Sequence, residues 1–196
     1  MKKFFVTFLL MISVLSLAYG QFTKIGGGLT YATGFQYNNE TGFEADLHRS
    51  PFAGIFLTGI YELNLPIHIS PSFTYFIPRT NNLNMVSYNA LSTRVSVMMF
   101  DLNGHYVFNS LDRFEFYGLA GLNVTFTKIK WLGTTSGSSD NALGLNIGAG
   151  TYMKITEQVD LSGEVKYILS KYDQFMFNVG ILINIDWLKK HENSDL

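Results

Sequence analysis

The chain has 196 residues, with 14 Lys and Arg against 15 Asp and Glu, so it lacks the basic excess that wrapping nucleic acid requires. It contains no Cys, which removes disulfide frameworks, thiolate metal sites and a lipidated N-terminal Cys together. Charged residues make up 15% of the sequence where a soluble domain carries about 25%, and aromatic residues also reach 15%, a composition that suits lipid better than water.

Residues 1–20 predict a cleaved secretory signal. Lys2 and Lys3 supply the positive start, Phe4 to Leu17 an uncharged apolar stretch, and Ala18 and Gly20 the small residues before a cut at Gln21. The apolar stretch is shorter than the roughly 20 residues of a spanning helix, and nothing downstream resembles one. Residues 21–188 are expected to form one domain, followed by a short periplasmic tail over 189–196.

Eight strands are predicted in chain order, over 24–33, 52–63, 67–77, 94–108, 114–127, 143–154, 159–169 and 175–187. The last has the clearest period of two. There Phe175, Phe177, Val179, Ile181, Ile183, Ile185 and Trp187 share one face, while Asn178, Gly180, Asn184 and Asp186 lie on the other. Twelve steps of about 3.3 Å, tilted near 45°, give about 28 Å along a membrane normal, close to a hydrocarbon core. In the first, second and fourth strands both faces carry apolar residues and the period is weaker.

The interruptions alternate in length. Those at 64–66, 109–112 and 155–158 are turn-like, whereas 34–50, 79–90 and 128–141 are long and rich in Ser, Thr, Asn and Gly; the connection at 170–173 is a short exception. This pattern predicts an all-β, eight-stranded antiparallel up-and-down transmembrane β-barrel, with periplasmic turns, extracellular loops and both termini in the periplasm. A soluble barrel would alternate equally but turn its apolar face inward. The polar face here is largely Gly, Ser, Thr and Asn, a poor soluble exterior but a fitting narrow lumen.

The segments Tyr117-Gly118-Leu119-Ala120-Gly121-Leu122, Leu145-Asn146-Ile147-Gly148-Ala149-Gly150-Thr151-Tyr152, Glu164-Val165-Lys166-Tyr167 and Asn178-Val179-Gly180-Ile181 resemble the small outer-membrane β-barrel family of OmpA/OmpX type. The resemblance implies an exported outer-membrane protein surrounded by outer-membrane lipid and lipopolysaccharide. It also implies insertion by the barrel-assembly machinery, which reads a terminal aromatic residue. Trp187 could play that part, although the chain continues beyond it.

By parity, Asp101, Glu115, Lys154, Glu164 and Lys166 are expected to form a polar network in the lumen, because buried charges must be paired or hydrated. Glu115 and Lys154 are expected to face one another near the turn end. Tyr31, Tyr61, Tyr106, Tyr152, Tyr167 and Trp187 are expected to form aromatic girdles at the membrane interfaces. His68, His105 and His191 share no ligand spacing, so no metal and no cofactor is expected, and His105 is expected to bond Asp101.

The leading functional expectation is a non-enzymatic barrel with a filled lumen, serving envelope structure or contact with a surface ligand or envelope protein through its long loops. Two alternatives remain open. His48 and Ser50 point the same way in an extended segment and resemble the His-x-Ser of outer-membrane lipid A deacylases, which would make the protein a lipid-modifying hydrolase. Exchange among the lumen charges would instead give a narrow ion channel.

Overall fold

A computed structural model describes residues 22–34, 52–63, 65–83, 91–132 and 137–185. The expected signal segment, the His48 and Ser50 pair, Trp187 and the C-terminal tail lie outside these residues. The described chain forms nine strands: β1 (Phe22–Ala32), β2 (Phe52–Glu62), β3 (Ile67–Phe76), β4 (Arg79–Leu83), β5 (Leu91–Ser110), β6 (Phe114–Trp131), β7 (Gly137–Lys154), β8 (Val159–Ser170) and β9 (Gln174–Asn184). All pairings are antiparallel. β1 pairs with β9, and β3 pairs with β5, which closes the sheet.

β3 and β4 lie end to end along β5, β3 against its second half and β4 against its first. They occupy one barrel position, broken at Ile77 and Pro78, so the nine segments make the expected eight-stranded barrel. Proline lacks the N–H that would continue the ladder. The interruption predicted at 79–90 is therefore strand over Arg79–Leu83. The loop predicted at 128–141 is likewise mostly strand, since β6 continues to Trp131 and β7 begins at Gly137.

Faces alternate as the sequence suggests, and the contrast is sharpest on β9. Gln174, Met176, Asn178, Gly180 and Leu182 are buried inside, while Phe175, Phe177, Val179, Ile181 and Ile183 are exposed outside. Leu29, Leu143 and Ile147 are among many apolar side chains standing fully outward on other strands. A continuous apolar exterior of this kind is stable in lipid rather than water.

Strand length sets what projects. β9, with 11 residues, spans about 25 Å of normal at a 45° tilt, whereas β5, with 20, spans about 47 Å. The surplus of β5, β6 and β7 extends past the apolar belt at the end bearing the long loops. On the outer face, polar Lys128, Ser139 and Asn141 follow Phe126 and Leu143 there.

Candidate functional site

The lumen is filled in layers, and its centre is polar. Asp101 on β5 is the hub: its Oδ2 accepts from Lys166 Nζ of β8 at 2.8 Å and from Ser72 Oγ of β3 at 3.3 Å. Its Oδ1 accepts from Asn123 Nδ2 of β6 at 2.7 Å and from Asn146 Nδ2 of β7 at 2.9 Å. Asn146 Nδ2 also reaches Asn103 Oδ1 at 2.7 Å, and Thr125 Oγ1 donates to Asn123 Oδ1 at 2.7 Å. A buried carboxylate is tolerated when a cation and several donors surround it, as they do here.

Glu164 carries the network to the other side of the lumen. Its Oε1 accepts from Asn178 Nδ2 at 3.0 Å and lies 3.8 Å from Lys166 Nζ; its Oε2 accepts from the Tyr117 hydroxyl at 3.2 Å. Asn178 Oδ1 in turn accepts from Thr30 Oγ1 of β1 at 2.6 Å. Strands β1, β3 and β5 to β9 are thus joined through their interior side chains.

Beneath this layer lies an aromatic one. His105 stacks on Tyr117 at 4.3 Å between ring centroids, Tyr117 on Tyr152 at 4.6 Å, and His105 Nδ1 shares a 2.6 Å hydrogen bond with the Tyr152 hydroxyl. The rings need space in the wall beside them. Gly150 supplies it, since a Cβ there would collide with the Tyr117 hydroxyl; Gly180 does the same for Phe56, whose Cζ would lie 2.7 Å from an added Cβ. A void of about 20 Å³ remains beside these rings, room for roughly one water.

Both ends differ from the centre. Toward the long loops, Phe52, Phe76, Val95, Val97, Met99, Ile129 and neighbours form an apolar cluster inside the barrel. Above it Lys171 Nζ donates to Asp140 Oδ2 at 2.7 Å, and the Tyr172 hydroxyl also donates to that carboxylate. Asp140 lies past the apolar belt, and these two donors hold its carboxyl below the usual carboxylate range. At the turn end the lumen opens into a cleft of about 380 Å³. Lys24 there pairs with Asp160 at 3.0 Å and Glu62 at 3.4 Å.

Three of the five charges assigned to the lumen network meet in its centre: Asp101, Glu164 and Lys166. Glu115 and Lys154 line the turn-end cleft instead. Glu115 stands opposite Tyr152 in the ladder, and no ion pair joins Glu115 to Lys154 among the described residues, which corrects the expected pairing. Lys154 is exposed at a strand end where water solvates it.

Tyr31, Tyr61, Tyr106 and Tyr167 are on the outer face. Tyr152 is not a girdle residue. It shares the even parity of Asn146 and Gly150, and it is buried in the lumen. His105 bonds Tyr152 rather than Asp101, because four residues along a strand separate their levels by about 13 Å. Asn103, Asn123 and Asn146 join the network as partners that charge alone does not single out; their inward parity beside Asp101 is the sequence signal that marks them.

A closed antiparallel barrel, apolar outside and packed with polar and aromatic side chains inside, defines an integral outer-membrane protein. The family model described as outer membrane protein beta-barrel domain matches residues 4–184, and the chain belongs to that family. No curated protein matches the sequence. Among solved structures, the chain is similar to Ail, the attachment invasion locus protein of Yersinia pestis, crystallised with the heparin analogue sucrose octasulfate. Identity is 15% and the TM-score 0.58, over 82% of this chain and 96% of that one. Neisserial surface protein A is similar at 14% identity and a TM-score of 0.59, over 84% and 97%. A major outer membrane protein from Thermus thermophilus gives 11% and 0.54, over 82% and 98%. These likenesses concern the fold.

Proposed function

We propose that this is a non-enzymatic barrel with a closed lumen that works at its ends, supporting the envelope and making surface contacts through the loops joining β1 to β2, β4 to β5 and β6 to β7. The observation that carries this reading is the filling of the lumen. The Asp101 network lies between an aromatic layer and an apolar cluster, and the void beside the rings has room for about one water. Solute has no wide path, so the barrel presents surfaces. The fold shared with a protein named for attachment and invasion supports the same direction.

In this reading the signal over 1–20 is removed, and the turns and both termini lie in the periplasm. The barrel-assembly machinery reads the end of β9 near Trp187, and the loop end faces outward among lipopolysaccharide. Tyr31 and Tyr167 then mark the outer lipid boundary and Tyr61 and Tyr106 the inner one.

A channel reading has one observation in its favour: Lys166 has two carboxylates within reach, Asp101 at 2.8 Å and Glu164 at 3.8 Å, and could exchange between them. Planar-bilayer recording decides between the two. The closed-lumen reading expects no sustained single-channel steps; sustained steps from the wild-type barrel would establish the channel. The hydrolase alternative requires deacylation of lipid A that disappears with His48→Ala or Ser50→Ala.

A further inference from the structure

We propose that Arg94, Lys128 and Lys130 form a site for the phosphate groups of a glycolipid in the leaflet at the loop end of the barrel. The ladder sets the geometry. Arg94 on β5 is directly opposite Lys130 on β6, and the next outward row pairs Ser96 with Lys128. Like charges placed opposite one another in a sheet repel unless an anion stands between them. All three side chains are exposed, and none has an ion pair or hydrogen bond among the described residues. Thr80 of β4, opposite Arg94, and Ser139 of β7, opposite Lys128, flank them without negative charge.

Depth selects the ligand. The apolar belt on these strands ends with the row of Met98 and Phe126. Lys128 is one outward row beyond it and Lys130 two, which at a 45° tilt places them about 5 and 9 Å past the hydrocarbon edge, within the headgroup zone. Their stems can lie along the apolar surface with the charge directed to the headgroups. Arg94 offers a planar fork suited to phosphate oxygens, and the two lysines add point charges. At the turn end the described outward positions of the strands, among them Phe108, Phe116, Leu161 and Ile183, carry no charge. The cluster therefore belongs to one leaflet only. A phosphorylated glycolipid supplies several phosphates at this depth, which free phosphate in solution does not.

The site rests on the proposed reading in which the loop end faces outward among lipopolysaccharide, whereas binding measured in vesicles does not depend on that orientation, so the two can fail separately. The test measures binding of lipid A to the full barrel in phosphatidylcholine vesicles, with dephosphorylated lipid A and inorganic phosphate as the other probes. Wild type should bind lipid A, and Arg94→Gln/Lys128→Gln/Lys130→Gln should bind it about tenfold to a hundredfold more weakly. Arg94→Lys, which keeps the charge but loses the fork, should fall between them. Equal binding by the triple variant, or equal binding of the dephosphorylated lipid, overturns the site. Binding of inorganic phosphate as tight as that of lipid A overturns the assignment to a lipid. Failure of wild type to insert into any vesicle would instead refute the membrane exterior itself.

Discussion

Lys166 on β8 and Asp101 on β5 meet at 2.8 Å across the barrel interior, with side-chain exposures of 1% and 0%. The pair is shut off from bulk solvent, so each partner depends on the other. Lys166→Met should cost about 3–5 kcal/mol, because it leaves a buried carboxylate without its cation, whereas Asp101→Leu combined with Lys166→Met should cost less than either single change. Urea unfolding in phospholipid vesicles gives the three values. A double variant as damaged as the sum of the singles would mean that the two residues act independently.

Val179 and Asn178 are adjacent on β9 and point to opposite sides, Val179 58% exposed and Asn178 7%. Val179→Arg places a guanidinium in hydrocarbon and should cost up to about 2–4 kcal/mol, declining toward the interface. The polarity of the lumen does not make Asn178→Arg benign. Asn178 already bonds Glu164 and Thr30 in a filled interior, so the larger side chain should destabilise as well. Val179→Leu is the comparison that isolates charge from size. It should unfold at nearly the wild-type urea midpoint, and a loss matching that of Val179→Arg would show that this face does not meet lipid.

The pH dependence of the loop end should come from Asp140. Its folded pKa is lowered chiefly by the hydrogen bond from Lys171, with a second from Tyr172. A carboxyl depressed on folding contributes stability that is fully present above its unfolded value and lost as the pH falls through the lower folded value. The urea midpoints of wild type and Asp140→Asn should therefore differ near about pH 6 and converge only as the pH falls below the ordinary carboxylate range and through the lower folded value. A gap that stays constant across this range would assign the difference to something other than ionisation.

Alternation in the sequence reports the contrast between the two faces of a strand, and where that contrast is strong it was readable. It located β9, the outward Phe114 and Leu122, and the inward Asp101, Glu164 and Lys166. On β5 the contrast fails, since Val95, Val97 and Met99 fill an apolar layer inside while Met98 and Phe100 face outward. The extension of β6 looks like loop because its outward face turns basic at Lys128 and Lys130 and leaves Ile129 alone as the buried apolar signal, and that of β7 because residues 137–141 include no apolar side chain. Partners across the lumen, such as Tyr152 with His105 or Lys166 with Asp101, depend on barrel closure, which no local period encodes. Tyr152 shows the remaining difficulty: a tyrosine toward a strand end suits an interface and a lumen equally, and only its parity with Asn146 separates the two.

The central claim, a barrel that turns its long-loop end to the outside of the cell, is tested most directly by labelling single cysteines on intact cells with a membrane-impermeant maleimide. The chain has no cysteine of its own, so every signal reports the introduced site. Ser138→Cys, exposed at the end that bears the long loops, should label, while Leu65→Cys, exposed in the opposite turn, should label only after the outer membrane is permeabilised. Labelling of position 65 but not 138 on intact cells would contradict the account and place the loops in the periplasm.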